Sequence, residues 1–154
     1  MPSLRLLAPL AALLATVALA ACGGDAEEKN DYVDQVNEVT STLNSGLTEV
    51  STEATALSSP DQAAEVFSGF ATSLETAATD ISEISPPEDV GELHDELVQQ
   101  VETLASEAAN AADEVRAGGP ASLPGVAGGF ISEATRLSTE IDSTISEING
   151  VLQE

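Results

Sequence analysis

The chain has 154 residues, 27 of them Asp or Glu against four Lys or Arg, and a formal net charge of −23. A surface so acidic repels nucleic acid and anionic headgroups, so no DNA or RNA partner is expected. Three phenylalanines, one tyrosine and no tryptophan leave little material for the aromatic walls on which pockets for sugars or drug-sized ligands depend.

Residues 1–21 have three parts. Arg5 gives the short leading region its one side-chain positive charge. Leu6 to about Leu19 form an uncharged Leu/Ala-rich run, and Ala20-Ala21 lead to Cys22, the single cysteine. This is the order of a secretory signal; Pro9 within the run fits a removable segment better than a permanent span of ~20 apolar residues. The stretch resembles the signal peptide and lipobox of bacterial lipoproteins. Leu19-Ala20-Ala21-Cys22 matches the pattern Leu, small, small, Cys, and Gly23-Gly24-Asp25 is a typical flexible start to a mature chain.

The resemblance implies that the Cys22 thiol receives a diacylglycerol and that a signal peptidase cuts just before it. It also implies acylation of the new amine, by palmitate or a similar chain. One myristoyl-length chain binds a membrane reversibly, whereas two or three anchor stably at ~0.8 kcal/mol per buried methylene. The expected location is extracytoplasmic, lipid-anchored to the cell membrane. An intrachain disulfide is excluded because there is no second cysteine.

Residues 22–154, 133 in number, hold all the acidic residues and only Lys29, Arg116 and Arg136 as basic ones, a charge of −24. That length suits one domain. Solubility after export and a saline habitat each favour such acidity; an acidic face that takes divalent cations or polycations is the sharper alternative. Residues 22–30 read as a flexible polar tether and 31–154 as the acidic helical domain.

Four helical segments are expected. In the first, about Asp31 to Ser58, Val33, Val36, Thr40, Leu43, Leu47, Val50, Ala54 and Leu57 step by three and four along one stripe, as in a coiled coil. Gly46 marks a kink or break, since glycine costs up to ~1 kcal/mol in a helix interior. Ser59-Pro60-Asp61-Gln62 opens the second as a capping box with proline at the first helical position. Phe67, Phe70, Leu74, Ala78, Ile81 and Ile84 mark its buried face, and Pro86-Pro87 ends it.

Ser85-Pro86-Pro87-Glu88 repeats that start chemistry for the third segment. Val90, Leu97, Leu104 and Ala111 form one heptad row, and His94, Val101, Ala108 and Val115 the other. Gly118-Gly119-Pro120 stops it. A Gly/Pro-rich connection over 117–129 should lay Leu123 and Val126 over an open end. The fourth helix, about Phe130 to Leu152, has Phe130, Ala134, Leu137, Ile141, Ile145 and Ile148 as its stripe, with Gly150 a breaker near the end. With no strand alternation and short connections, the expected fold is all-α: an elongated antiparallel bundle of about four helices behind a cleaved signal peptide.

The residues carry no recognisable catalytic pattern, and no enzyme activity or cofactor is expected. A di-metal bundle site needs Glu-x-x-His pairs, but His94 is the only histidine and Gly91 stands three residues before it. Zinc ligands are too few, and the acidic calcium-loop pattern is absent. Asp89, Glu92, Asp95 and Glu96 could form a looser oxygen site, though carboxylates at a helix N-terminus answer equally to the helix dipole. Nucleophile elbows and phosphate loops are missing.

His94 is the one candidate functional residue besides Cys22. Either it is a pH switch or ligand group, or it is a half-buried side chain bonded to a carboxylate or loop carbonyl. Ile84, Pro86, Pro87, Leu93, His94 and Leu97 resemble a Pro-Pro turn followed by Leu-His in small helical lipoproteins of actinobacteria, which implies a bundle and no activity. The functional expectation is a non-enzymatic interaction or envelope-associated module. Its partners would be the membrane through the lipid on Cys22, and an envelope protein or a second copy. The alternative is a binder of cations or a small ligand on acidic helix faces.

Overall fold

The computed structural model describes residues 25–54 and 59–153. The apolar run 1–21, Cys22 and residues 55–58 lie outside the described residues. Four helices follow in chain order: α1 (Asp25–Ala54), α2 (Pro60–Glu83), α3 (Gly91–Gly118) and α4 (Leu123–Leu152), with one 3-10 turn over Glu88–Val90. The fold is an all-α bundle. At 1.5 Å per residue the helices run ~36–45 Å.

Small side chains decide the packing. The most extensive contact is between α2 and α3, followed by α3 with α4 and then α1 with α2; α1 and α4 barely meet. On α2 the buried face includes Ala63, Ala64, Ala71, Ala77 and Ala78 beside Phe67, Phe70, Leu74 and Ile81. On α3 it includes Ala105, Ala108, Ala111 and Ala112 between Leu97, Val101, Leu104 and Val115. Alanine lowers the ridges between two helices, so their axes come close and the larger side chains interlock around them. Both heptad rows of α3 are buried throughout, Val90 and His94 included.

The aromatic residues occupy two nodes. Near one end Phe67 and Phe130 stack edge-on with centroids 5.1 Å apart, and Phe70 meets Phe130 at 6.2 Å and 83°. Near the other end Tyr32 lies against His94, with ring centroids 5.8 Å apart.

The elements differ from expectation in several places. Helix α1 starts at Asp25, so residues 25–30 are its first turns and not tether; Ala26, Glu27, Glu28 and Lys29 are good helix formers. Gly46 does not break α1, which runs unbroken through it. A Cβ placed at Gly46 would lie 3.2 Å from Phe70 Cε2, so the glycine admits the aromatic ring. Of the predicted α1 stripe Val36 and Val50 are buried, while Val33, Thr40, Leu43 and Leu47 are only partly so; Tyr32, outside that stripe, is buried, and Val39 packs partly buried against the core. Ala54 as a side chain, and Leu57, fall outside the described residues.

Ser59 caps α2 as expected, its Oγ accepting from Gln62 N at 3.2 Å. Ser85 does not repeat this. The chain stays extended through Ile84 to Pro87, the 3-10 turn intervenes, and α3 opens at Gly91 with no side-chain cap. Two prolines in a row account for it, since each forces the residue before it out of the helical region.

The connection over 117–129 is also shorter than expected. Helix α3 runs to Gly118, Gly119 adopts φ 65° with its N–H on Val115 O, and α4 begins at Leu123. A Cβ on Gly118 would lie 2.6 Å from the Ser122 side chain, so this turn closes only around glycine. Pro124 stands in the first turn of α4, where its missing N–H costs nothing. Leu123 is buried and Val126 packs against the core, so both sit on α4 and not on a covering loop. Gly150 is inside α4, which continues to Leu152.

The two helical glycines Gly46 and Gly69 should respond oppositely to substitution. Gly46→Leu forces a side chain into Phe70 and should lower unfolding free energy by about 1–3 kcal/mol. Gly69 is exposed with open space around it, so Gly69→Ala should raise it by about 0.5–1 kcal/mol. Urea unfolding followed by far-UV circular dichroism measures both.

Candidate functional site

Among the described core residues, His94 and Thr144 are the only buried polar side chains outside the aromatics. Thr144 answers a packing need. Its Oγ1 donates to Glu140 O, in the usual manner of a helical threonine, and accepts from Gln100 Nε2 at 3.0 Å. His94 is different, because its partner comes from 62 residues away in the chain.

His94 lies on the first turn of α3, and Tyr32 on the second turn of α1, both within 4% of full burial. Tyr32 Oη and His94 Nδ1 are 3.1 Å apart. Burial pushes the Tyr32 phenol up to about 12, so its proton stays on. Burial also holds His94 below its ordinary 6.5, with the neighbouring Asp95 carboxylate pulling weakly the other way. With the imidazole neutral and the phenol protonated, we assign the Tyr32 O–H as donor to Nδ1 and the ring proton to Nε2, since among the described residues the phenol hydrogen has no other acceptor. The partner is thus a tyrosine and neither of the two expected from sequence, a carboxylate or a loop carbonyl. Tyr32 continues the α1 stripe one step before Val36, a spacing of four, and that spacing was the available sign of it.

One turn further out, Lys29 Nζ approaches Asp89 Oδ2 at 3.6 Å, joining α1 to the 3-10 turn. This takes Asp89 out of the loose acidic set at the start of α3; Glu92, Asp95 and Glu96 are exposed. Among the described residues no three His, Cys, Asp or Glu side chains are grouped so as to hold a metal ion.

The other basic side chains among the described residues are also occupied. Arg116 meets Asp113 at 2.9 Å and Ser68 Oγ at 2.8 Å. Arg136 bonds Glu133 and Glu140, which holds the Glu133 carboxyl below its usual range and raises the guanidinium further.

Two clefts open between helices. One, of about 340 Å³ between α3 and α4, is lined by Glu107, Glu114, Gly125, Gly129 and Glu133 among others. The second, of about 280 Å³ between α1 and α4, is lined by Leu47, Val50, Phe130, Ile131 and three threonines. Neither lining holds a histidine, cysteine or lysine. Cys22 lies outside the described residues. No family model, curated protein or solved structure matches the chain.

Removing the phenol oxygen isolates the imidazole. Tyr32→Phe keeps the ring but leaves Nδ1 buried without a donor, and should cost about 1–3 kcal/mol of stability at pH 7.5. Replacing both partners, with Tyr32→Phe and His94→Leu, should cost less than the sum of the two single changes. A urea-unfolding double-mutant cycle tests the coupling.

Proposed function

We propose that this chain is a lipid-anchored extracytoplasmic protein whose helical bundle acts by interaction and not by catalysis. The observation that carries the reading is the apolar run ending in Leu19-Ala20-Ala21-Cys22, with α1 beginning only three residues later at Asp25. Acyl chains on Cys22 would then hold the bundle close against the membrane. Among the described residues no helix is long and apolar enough to cross a membrane, and the charge of −24 after residue 21 repels anionic headgroups. The lipid supplies the affinity that the protein surface opposes.

The long acidic helix faces support the interaction reading. They present charged and hydroxyl-bearing residues along their length, a surface suited to an envelope partner or a spacing role. Cation binding is the second reading, and general screening of like charges is its physical competitor.

Cys22→Ser should abolish incorporation of labelled fatty acid and leave the protein uncleaved or released; a wild type that is unlabelled and freely secreted would refute the anchor. A melting series bears on the surface. Calcium and sodium at equal ionic strength should raise the melting temperature alike if the acidic faces are merely screened. A clear excess for millimolar calcium would favour the cation-binding reading.

A further inference from the structure

Helix α1 is the least firmly held part of the bundle. Among the described residues it buries Tyr32, Val36 and Val50, whereas α2 and α3 each bury nine side chains. It packs chiefly on α2, has little contact with α4, and reaches the α3 side through two polar ties, Tyr32–His94 and Lys29–Asp89. We propose that the Tyr32–His94 contact is an acid-sensitive latch: protonation of His94 undocks the N-terminal half of α1 from α3 while the α2–α3–α4 core stays folded. The inference holds whether or not Cys22 is acylated.

The chemistry is direct. A proton on Nδ1 turns the acceptor into a donor, so the Tyr32 hydroxyl can no longer donate to it; the 3.1 Å contact persists only if the phenol hydrogen turns away, and among the described residues it has no second acceptor to turn to. The imidazolium is also a cation with little access to water, since His94 is 4% exposed, and that is expensive unless the site opens further. The ring sits between α3, whose rows are packed along their whole length, and α1, which is held by few residues. Moving α1 is therefore the least costly way to hydrate it.

The charged groups at this end of the bundle set the window. They are Glu28, Lys29 and Asp31 on α1, Asp80 and Glu83 on α2, Glu88 and Asp89 in the 3-10 turn, Glu92 and Asp95 on α3, and Glu147 on α4. Asp95 favours the cation, Lys29 is matched by Asp89, and the remaining carboxylates welcome an imidazolium once water reaches it. Because folding lowers the histidine below 6.5, docking is at full strength above that pH. It weakens as the pH falls from there toward the folded-state value, by up to tenfold per pH unit.

The sequence provides its own probes, since His94 is the single histidine and Tyr32 the single tyrosine, with no tryptophan. Proton NMR of the detergent-solubilised full chain from pH 8 to 4 should show one imidazole titration with a midpoint below 6.5. The Tyr32 ring resonances should move with the same midpoint. Amide protection in the first half of α1, corrected for intrinsic exchange, should fall about tenfold or more across that midpoint while α2 and α3 hold. His94→Gln should remove the transition above pH 5; if that variant does not fold, the wild-type titration decides alone. Protection in α1 that stays constant while His94 titrates would overturn the proposal. So would loosening whose midpoint lies well below that of the imidazole, or loss of protection in all helices together.

Discussion

Close approach of α2 and α3 is the constraint on which the bundle depends, because the chain has few large apolar side chains with which to fill a wider gap. Helix axes draw together only as far as the residues between them allow, and here about half of the buried residues on each helix are alanine. A thin core then suffices: Leu74, Ile81, Leu97 and Val101, all fully buried, close the gaps that alanine leaves. The same logic explains the two glycine-dependent features. Gly46 brings α1 against the edge of Phe70, and Gly118 with Gly119 turns the chain tightly enough to bring α4 back along α3. Where small residues end, contact weakens, and the scarcely touching α1–α4 edge is the consequence.

Helical order on the outside has another source. The exposed faces are rich in Ser and Thr, which in isolation compete with helix formation. Here their hydroxyls turn inward onto the chain: Thr42, Thr48, Thr76, Thr103, Thr135 and Thr139 each donate to the carbonyl four residues back. That bond occupies the hydroxyl without breaking the backbone ladder. Salt bridges contribute less, because exposed pairs are worth little and only three basic side chains are available after residue 21. The exterior is therefore governed by mutual repulsion of carboxylates, moderated by salt, and cohesion comes from the inside.

How legible this was depended on how locally each feature is determined. The rows Val90, Leu97, Leu104, Ala111 and His94, Val101, Ala108, Val115 were readable because a heptad spacing and a closed core determine each other, and every member is buried. The Ser59 cap was readable because capping is a matter of three neighbouring residues. Helix starts were not. The Gly/Pro-rich composition before Phe130 suggested a loop, yet Pro124 is tolerated in a first turn and Leu123 and Val126 provide an apolar face, so tertiary packing extends α4 backwards. Among the candidate residues, His94 stood out by being alone of its kind. Its partner did not, because nothing local links positions 32 and 94; only the folded topology brings α1 back across the start of α3.

The position of that pair gives it its leverage. Helix α1 is held at two aromatic nodes, by Phe70 packed into the space at Gly46 and by Tyr32 against His94. Between them it offers mainly partly buried valines and leucines. A helix fastened at two points and loosely packed between them moves when one point lets go. The Tyr32 node is the chemically sensitive one, since Phe70 has nothing to titrate. It is also the node near the start of α1, seven residues beyond Asp25. In the proposed anchoring, any tilt or pull transmitted through Cys22 reaches the Lys29–Asp89 tie and this node before the rest of α1, and the proton that weakens the node acts at the end of the bundle nearest the anchor.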